Sequence, residues 1–144
     1  LSAFFHGRSG QSIVNMARMN NESMFGSNNQ SKAVLRRWKN EGDNTDIPRA
    51  LYNEGRNYLG SDRFVEKASF VRLKSMTLSY GFPRKICNRF NVNSLSVFVT
   101  GYNLFTWTNY TGQDPEVSVK DNLAIDTATT PVAKRFSFGL NMSF

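Results

Sequence analysis

The sequence predicts an all-β fold in which four antiparallel strands form part of the wall of a transmembrane barrel, and three observations lead there. Four segments alternate apolar with small or polar residues, over lengths near the roughly 9 to 11 residues that a tilted strand needs to cross a bilayer. The connections between them run long, short, long, the order expected of short turns on one side of a membrane and long loops on the other. Aromatic residues gather where a strand runs out, as they do in the girdles at a membrane surface.

The clearest strand is the last, Lys134 to Phe144. Phe136, Phe138, Leu140, Met142 and Phe144 share one parity; Arg135, Ser137, Gly139, Asn141 and Ser143 share the other. Side chains alternate faces along a strand, so this one has a wholly apolar face and a small or polar one. The terminal residues of a water-soluble domain are usually frayed and polar, and an apolar anchor at the final residue calls for a different environment. On this reading both faces meet a solvent, hydrocarbon on one side and water on the other.

Leu1 to Arg8 sets Leu1, Ala3 and Phe5 against Ser2, Phe4 and His6 and is predicted as a short strand. It opens like the middle of a strand, with no leader before it, so the chain is expected to be a piece of a longer one. Ser9 to Lys67 is rich in Asn, Ser, Gly and charge, with Gly42, Pro48, Gly55 and Gly60 as breakers, and reads as loop. Within it Ser31 is a candidate cap for a short helix, Ser31 to Asn40, in which Val34, Leu35 and Trp38 share a face. So long a connection with so little regular structure is out of place in a compact domain unless the loop is itself functional.

Ala68 to Phe82 is the second strand, with Met76, Leu78, Tyr80 and Phe82 opposite Ser75, Thr77, Ser79 and Gly81. Val71 and Leu73 lie on the other parity, and a bulge near Lys74 would bring the two halves into phase. Pro83, Arg84 and Lys85 end the strand, and a brief connector runs to Asn93. Leu95 to Trp107 is the third strand, setting Leu95, Val97 and Val99 against Ser96, Phe98 and Thr100. Its far end carries Tyr102, Phe105, Trp107 and, just beyond, Tyr110. Asn109 to Ala133, with Gly112, Asp114-Pro115 and Pro131, is the second long connection.

Composition narrows the function. With 40% hydrophobic and 13% aromatic residues the chain is not a disordered tail. No run of about 18 apolar residues exists, which leaves only strands to cross a membrane. The net charge is +7, and ten of the eighteen basic residues lie between Lys32 and Lys74, where Arg36, Arg37 and Lys39 read by default as a solvated face. Cys87 is the only cysteine and His6 the only histidine, too few for a disulfide, a Cys or His metal site or a triad with a choice of base. Asp114 and Glu116 lack the further ligands of a calcium loop, and Gly7-Arg8-Ser9-Gly10 lacks the spacing of a nucleophile elbow. No catalysis, cofactor or metal is expected.

Three blocks in order, ASFVRLKSMTLSYGFP (Ala68 to Pro83), LSVFVTGYNLFTWTNYTGQDPE (Leu95 to Glu116) and RFSFGLNMSF (Arg135 to Phe144), resemble the C-terminal end of the SusC/RagA family of TonB-dependent outer-membrane transporters. RRWKNEGDNTDIPRA (Arg36 to Ala50) is similar to the loop segment that precedes them in that family. The resemblance implies the last four strands of a 22-stranded barrel, with residues 1–144 the C-terminal part of the barrel domain and the plug domain and TonB-contacting segment lying outside the fragment. It implies a periplasmic C-terminus, extracellular loops at Ser9 to Lys67 and Asn109 to Ala133, and a periplasmic turn at Pro83 to Asn93. It further implies import of a bulky nutrient, an oligosaccharide ahead of a peptide, with a SusD-like surface lipoprotein and TonB as partners. Phe144, Met142 and Leu140, with Phe138 and Phe136 before them, match the family's barrel-assembly signal.

On this reading Met76, Leu78, Tyr80, Phe136, Phe138, Leu140 and Met142 face outer-membrane lipid. Ser75, Thr77, Ser79, Ser137, Gly139 and Asn141 face the lumen. Tyr102, Trp107 and Tyr110 are candidates for stacking on a ligand, although interfacial anchoring is the commoner role of such residues. Trp38 is a candidate contact for a ligand or partner, with packing inside the loop as its bland alternative. The alternative function is a soluble basic β-domain that binds nucleic acid or another polyanion through its charge and aromatics. That function needs basic and aromatic residues on one face, whereas the aromatics of the last strand sit opposite Arg135, and no nucleic-acid partner is expected.

Overall fold

The computed structural model describes residues 1–54, 59–117, 119–120 and 123–144; the breaker Gly55 lies outside them. The chain divides into two units, one made of Leu1–Ser9, Ser69–Asn109 and Pro131–Phe144, the other of Gly10–Ala68 and Tyr110–Thr130. In chain order the strands are β1 (Ser2–Arg8), β2 (Ser12–Asn15), β3 (Val65–Lys67), β4 (Phe70–Gly81), β5 (Ser94–Thr108), β6 (Val119–Lys120), β7 (Leu123–Asp126) and β8 (Arg135–Ser143). The helices are α1 (Met16–Asn21) and α2 (Arg84–Arg89), with 3₁₀ turns at Lys32–Arg36 and Asp62–Phe64.

The first unit is the four predicted strands, paired antiparallel in the order β1-β4-β5-β8. Alternation fixes the register. Ala3, Met76, Gly101 and Phe136 form one cross-strand row; Leu78, Val99 and Phe138 form the next, and Tyr80, Val97 and Leu140 a third. Thr77, Thr100 and Ser137 form a row on the opposite face, where the Thr77 and Thr100 hydroxyls share a 2.8 Å hydrogen bond. A one-residue slip would exchange the two faces, so the pattern specifies the pairing strongly.

The expected bulge is present. Against β1, where pairing shifts between Phe4 and Phe5, Lys74 is the extra residue of β4; against β5, where it shifts between Leu73 and Ser75, Lys74 faces two residues, Asn103 and Leu104. On β5 the shift is absorbed at Asn103, whose φ of 53° is left-handed. Leu73 and Val71 therefore return to the face of Met76, with Phe5, Phe105 and Trp107 beside them.

The connector from Pro83 to Asn93 is more ordered than a brief turn. It holds α2, packs Cys87 inward and ties the Asn93 N–H to the Ser143 carbonyl at 2.7 Å. Both long connections leave and rejoin the strands at the Arg8, Phe70, Thr108 and Arg135 end, and this short one joins them at the Gly81 and Ser94 end.

The second unit corrects the reading of the two long connections as loops. Their short strands form a second sheet in the order β3-β2-β7-β6, in which β2 pairs antiparallel with β3 and parallel with β7. Ile13, Ala68, Tyr110 and Ala124 make its core, with Val117 against them. A second cluster joins Met24, Val34 and Ile47. The Asn15 side chain caps α1 by accepting a 2.9 Å hydrogen bond from the Arg18 N–H, which satisfies one of the helix's orphan donors.

Ser31 does cap, accepting from the Ala33 N–H, but the helix is a short 3₁₀ segment that ends at Arg36. At about three residues per turn the expected face does not form: Val34 is buried, Leu35 points outward, and Trp38 lies beyond the turn, its N–H donating to the Ile47 carbonyl at 2.9 Å.

Candidate functional site

Within the first unit the candidate site is the sheet itself, because its two faces differ in chemistry. Met76, Leu78, Tyr80, Phe136, Phe138, Leu140 and Met142 all lie on one face, with Val97 and Val99 between them. All seven are exposed, Phe138 at 79% and Phe136 at 61%. At the far end of this face Phe5 and Phe105 stack on Trp107, with ring centroids 6.4 and 6.1 Å away. An unbroken apolar surface of this kind marks a surface that meets another apolar phase.

The opposite face is built from hydroxyls and small residues, including Ser75, Thr77, Ser79, Ser137 and Asn141. Two arginines are held over it by neighbours. The Arg135 guanidinium lies 4.7 Å from the Tyr102 ring centre, and the Arg72 Nε donates to the Thr106 hydroxyl at 2.9 Å, although Arg72 is only 2% exposed.

The aromatic cluster expected at the end of the third strand is separated by this geometry. Trp107 lies on the apolar face and Tyr102 on the polar one. Tyr110 belongs to the second unit and is buried, its hydroxyl donating a 2.7 Å hydrogen bond to Asp126. Tyr110 is thus an internal tether and presents no ring for a ligand to stack on. Trp38, about one-third exposed, remains at the surface of the second unit. Among the described residues no helix is long and apolar enough to cross a membrane, which says nothing of crossing by strands.

The second unit contains a groove of about 610 Å³, with both polar and apolar walls, that periodicity did not reveal. Its walls carry Arg18 with its ion-pair partner Glu22, Asn21, Arg36, Thr111 and Gln113, drawn from both connections. Glu66 fastens the groove together. Its carboxylate accepts from the Thr111 N–H at 3.1 Å, from the Thr111 hydroxyl at 2.7 Å and from the Arg18 guanidinium at 3.1 Å. Burial pushes the Glu66 carboxyl up, but the Thr111 bonds and Arg18 together bring it below the ordinary carboxylate range. Burial and then Asp126 push the Tyr110 phenol far above its ordinary value. Such a groove offers amide and guanidinium donors to a ligand rich in carbonyls or hydroxyls.

No family model matches the chain. Curated relatives do: TonB-dependent receptor P3 of Formosa agariphila is 30% identical over 152 aligned positions, spanning 100% of this chain and 15% of the relative. TonB-dependent receptor SusC of Bacteroides thetaiotaomicron is 33% identical over 100 positions, 66% of this chain and 9% of SusC. The solved RagAB peptide transporter superposes with a TM-score of 0.79 at 26% identity, covering 99% of this chain and 15% of that one. The RagAB peptide importer in its open-open state gives 0.80 over the same shares. The chain thus spans about a seventh of the length of the relatives that match it throughout.

Proposed function

We propose, from the premise that this chain belongs to the SusC/RagA family of TonB-dependent transporters, that it is the C-terminal part of the barrel domain of an outer-membrane importer of bulky nutrients. It supplies the last four strands of a 22-stranded barrel in a Gram-negative bacterium. The observation that carries this reading is the two-faced sheet, apolar from Phe5 to Met142 on one side and hydroxyl-rich on the other. A barrel wall needs that contrast, since lipid and lumen alternate along every strand. Met76, Leu78, Tyr80, Phe136, Phe138, Leu140 and Met142 face lipid, and Phe144, Met142 and Leu140 form the assembly signal.

A periplasmic C-terminus is supported by the end of β8 lying beside the short connector, since short turns are the periplasmic ones in such barrels; the two long connections are then extracellular. The wall performs no chemistry; it contributes position and shape. The groove of Arg18, Asn21, Arg36 and Gln113 offers contacts that suit a peptide or an oligosaccharide. Kinship with a peptide transporter gives peptide the stronger support. A SusD-like surface lipoprotein delivers the cargo, and TonB acts through the part of the protein that precedes this segment.

Deletion of the full-length gene, with uptake of labelled oligopeptides and oligosaccharides measured with and without a protonophore, tests this reading. The expected result is an outer-membrane protein whose loss abolishes protonophore-sensitive uptake of one of the two classes. Recovery of the protein in the soluble fraction would overturn it.

A further inference from the structure

We propose that the connector between β4 and β5 is an interfacial anchor that binds anionic phospholipid headgroups in the leaflet at the C-terminal end of the sheet. This inference rests on the lipid-facing reading given above. The segment Pro83 to Asn93 contains Arg84, Lys85 and Arg89 and no acidic residue. In α2 each residue advances about 100° around the axis, and Cys87, 2% exposed, fixes the inward direction, with its thiol on the Phe82 carbonyl at 3.6 Å.

Lys85 and Arg89, two positions to either side of Cys87 and four apart, therefore share the outward face. Ile86 and the C-cap residue Phe90, also four apart, share one flank and are 38% and 64% exposed. The apolar surface already described reaches the start of the connector: Phe82 meets Tyr80 edge-on, ring centres 5.2 Å apart, and Tyr80 lies on the apolar face of the sheet. The connector is held in place by the Asn93 bond to Ser143 and by the Val92 N–H on the Cys87 carbonyl.

An apolar flank beside a basic face, at the boundary of an apolar band, has the chemistry of an in-plane membrane helix. The occupant is the headgroup layer, since the apolar flank requires hydrocarbon next to the phosphates that the basic pair attracts. Each basic residue is expected to strengthen attachment to an anionic surface about fivefold.

The test uses the full-length transporter in nanodiscs of phosphatidylcholine alone or with phosphatidylglycerol. A nitroxide is placed at Phe90→Cys or, as a reference, Phe138→Cys, in a background with Cys87→Ser and any other cysteines replaced, and label depth is read from oxygen and nickel-chelate collision. The expected result is Phe138→Cys in hydrocarbon and Phe90→Cys at headgroup depth, deepening with phosphatidylglycerol unless Lys85→Gln and Arg89→Gln are present. A water-exposed Phe90→Cys beside a hydrocarbon-buried Phe138→Cys, or a depth indifferent to phosphatidylglycerol and to both substitutions, overturns the anchor alone. A water-exposed Phe138→Cys overturns the lipid-facing reading itself. Should the labelled variants fail to fold, thermal midpoints of the unlabelled protein decide: phosphatidylglycerol raises the midpoint of the wild type and not of Lys85→Gln/Arg89→Gln, and equal shifts overturn the anchor.

Discussion

The ring of Phe98 on β5 fills the space above Gly139 on β8, so closely that a Cβ at Gly139 would overlap it. A bulky residue on an otherwise small and polar face is thereby accommodated by the absence of a side chain opposite. We predict that Gly139→Val costs roughly 1 to 3 kcal/mol of barrel stability through overpacking, read as a lower heat-modification temperature on gels. Combined with Phe98→Ala, the substitution should cost far less. Strictly additive losses in the double variant would refute the packing.

Leu140 and Ser137 lie on opposite faces of one strand. We expect Leu140→Arg or Phe138→Arg to cost about 2 to 4 kcal/mol near mid-membrane and Ser137→Arg much less. Equal abundance and heat resistance of Leu140→Arg and Ser137→Arg in outer-membrane fractions would count against the assigned facing.

The Tyr110 hydroxyl ties the start of the second connection to Asp126, sixteen residues on. Removing the hydroxyl in Tyr110→Phe leaves a buried carboxylate oxygen without this donor, at a cost of about 1 to 3 kcal/mol. The loss is local and should appear as faster amide exchange around Ala124, with barrel melting unchanged. Because the folded phenol is raised above its unfolded value of about 10, its contribution is complete below that pH and is lost as pH rises through the folded value. A difference spectrum between wild type and Tyr110→Phe should therefore show no tyrosinate band at pH 10.

Glu66 titrates in the opposite sense. Its folded carboxyl is more acidic than the unfolded one, near 4.3, so the stability it contributes is present above that pH and is lost as pH falls through the folded value. Glu66→Gln should speed exchange of the Thr111 amide at neutral pH and remove its extra acceleration in acid. Identical acid profiles in the two proteins would show that the carboxylate does not hold the groove.

Arg36 and Gln113 face the groove from separate connections. If the groove contacts cargo, Arg36→Ala with Gln113→Ala should weaken substrate affinity roughly tenfold, the loss of about one charged hydrogen bond. Surface abundance should stay constant. Unchanged uptake at limiting substrate would remove the groove from the transport path.

Much of the first unit was legible because its information is local. Period-two alternation from Met76 to Phe82 and from Phe136 to Phe144 assigns strands and faces together, and the phase break between Leu73 and Met76 betrays the bulge. The aromatic cluster was the exception: Tyr102, Trp107 and Tyr110 are near in sequence, yet opposite parity puts Tyr102 and Trp107 on opposite faces of β5, and Tyr110 lies beyond the strand in the second unit. Proximity in sequence groups these residues, whereas parity and the end of the strand decide their surroundings.

By itself the sequence determined four strands, their antiparallel order, the apolar face and the kinship with SusC and RagA. Only the tertiary structure decided that the long connections build a second sheet, that Tyr110 is buried, and that Arg18, Arg36 and Gln113 share a groove. The physical reason is range: β2 and β7 are four residues each, too short to show a period, and what stabilises them is the pairing of Val14 with Ile125 across most of the chain. Pattern within a strand is written in neighbouring residues, whereas partners so distant become neighbours only when the chain folds.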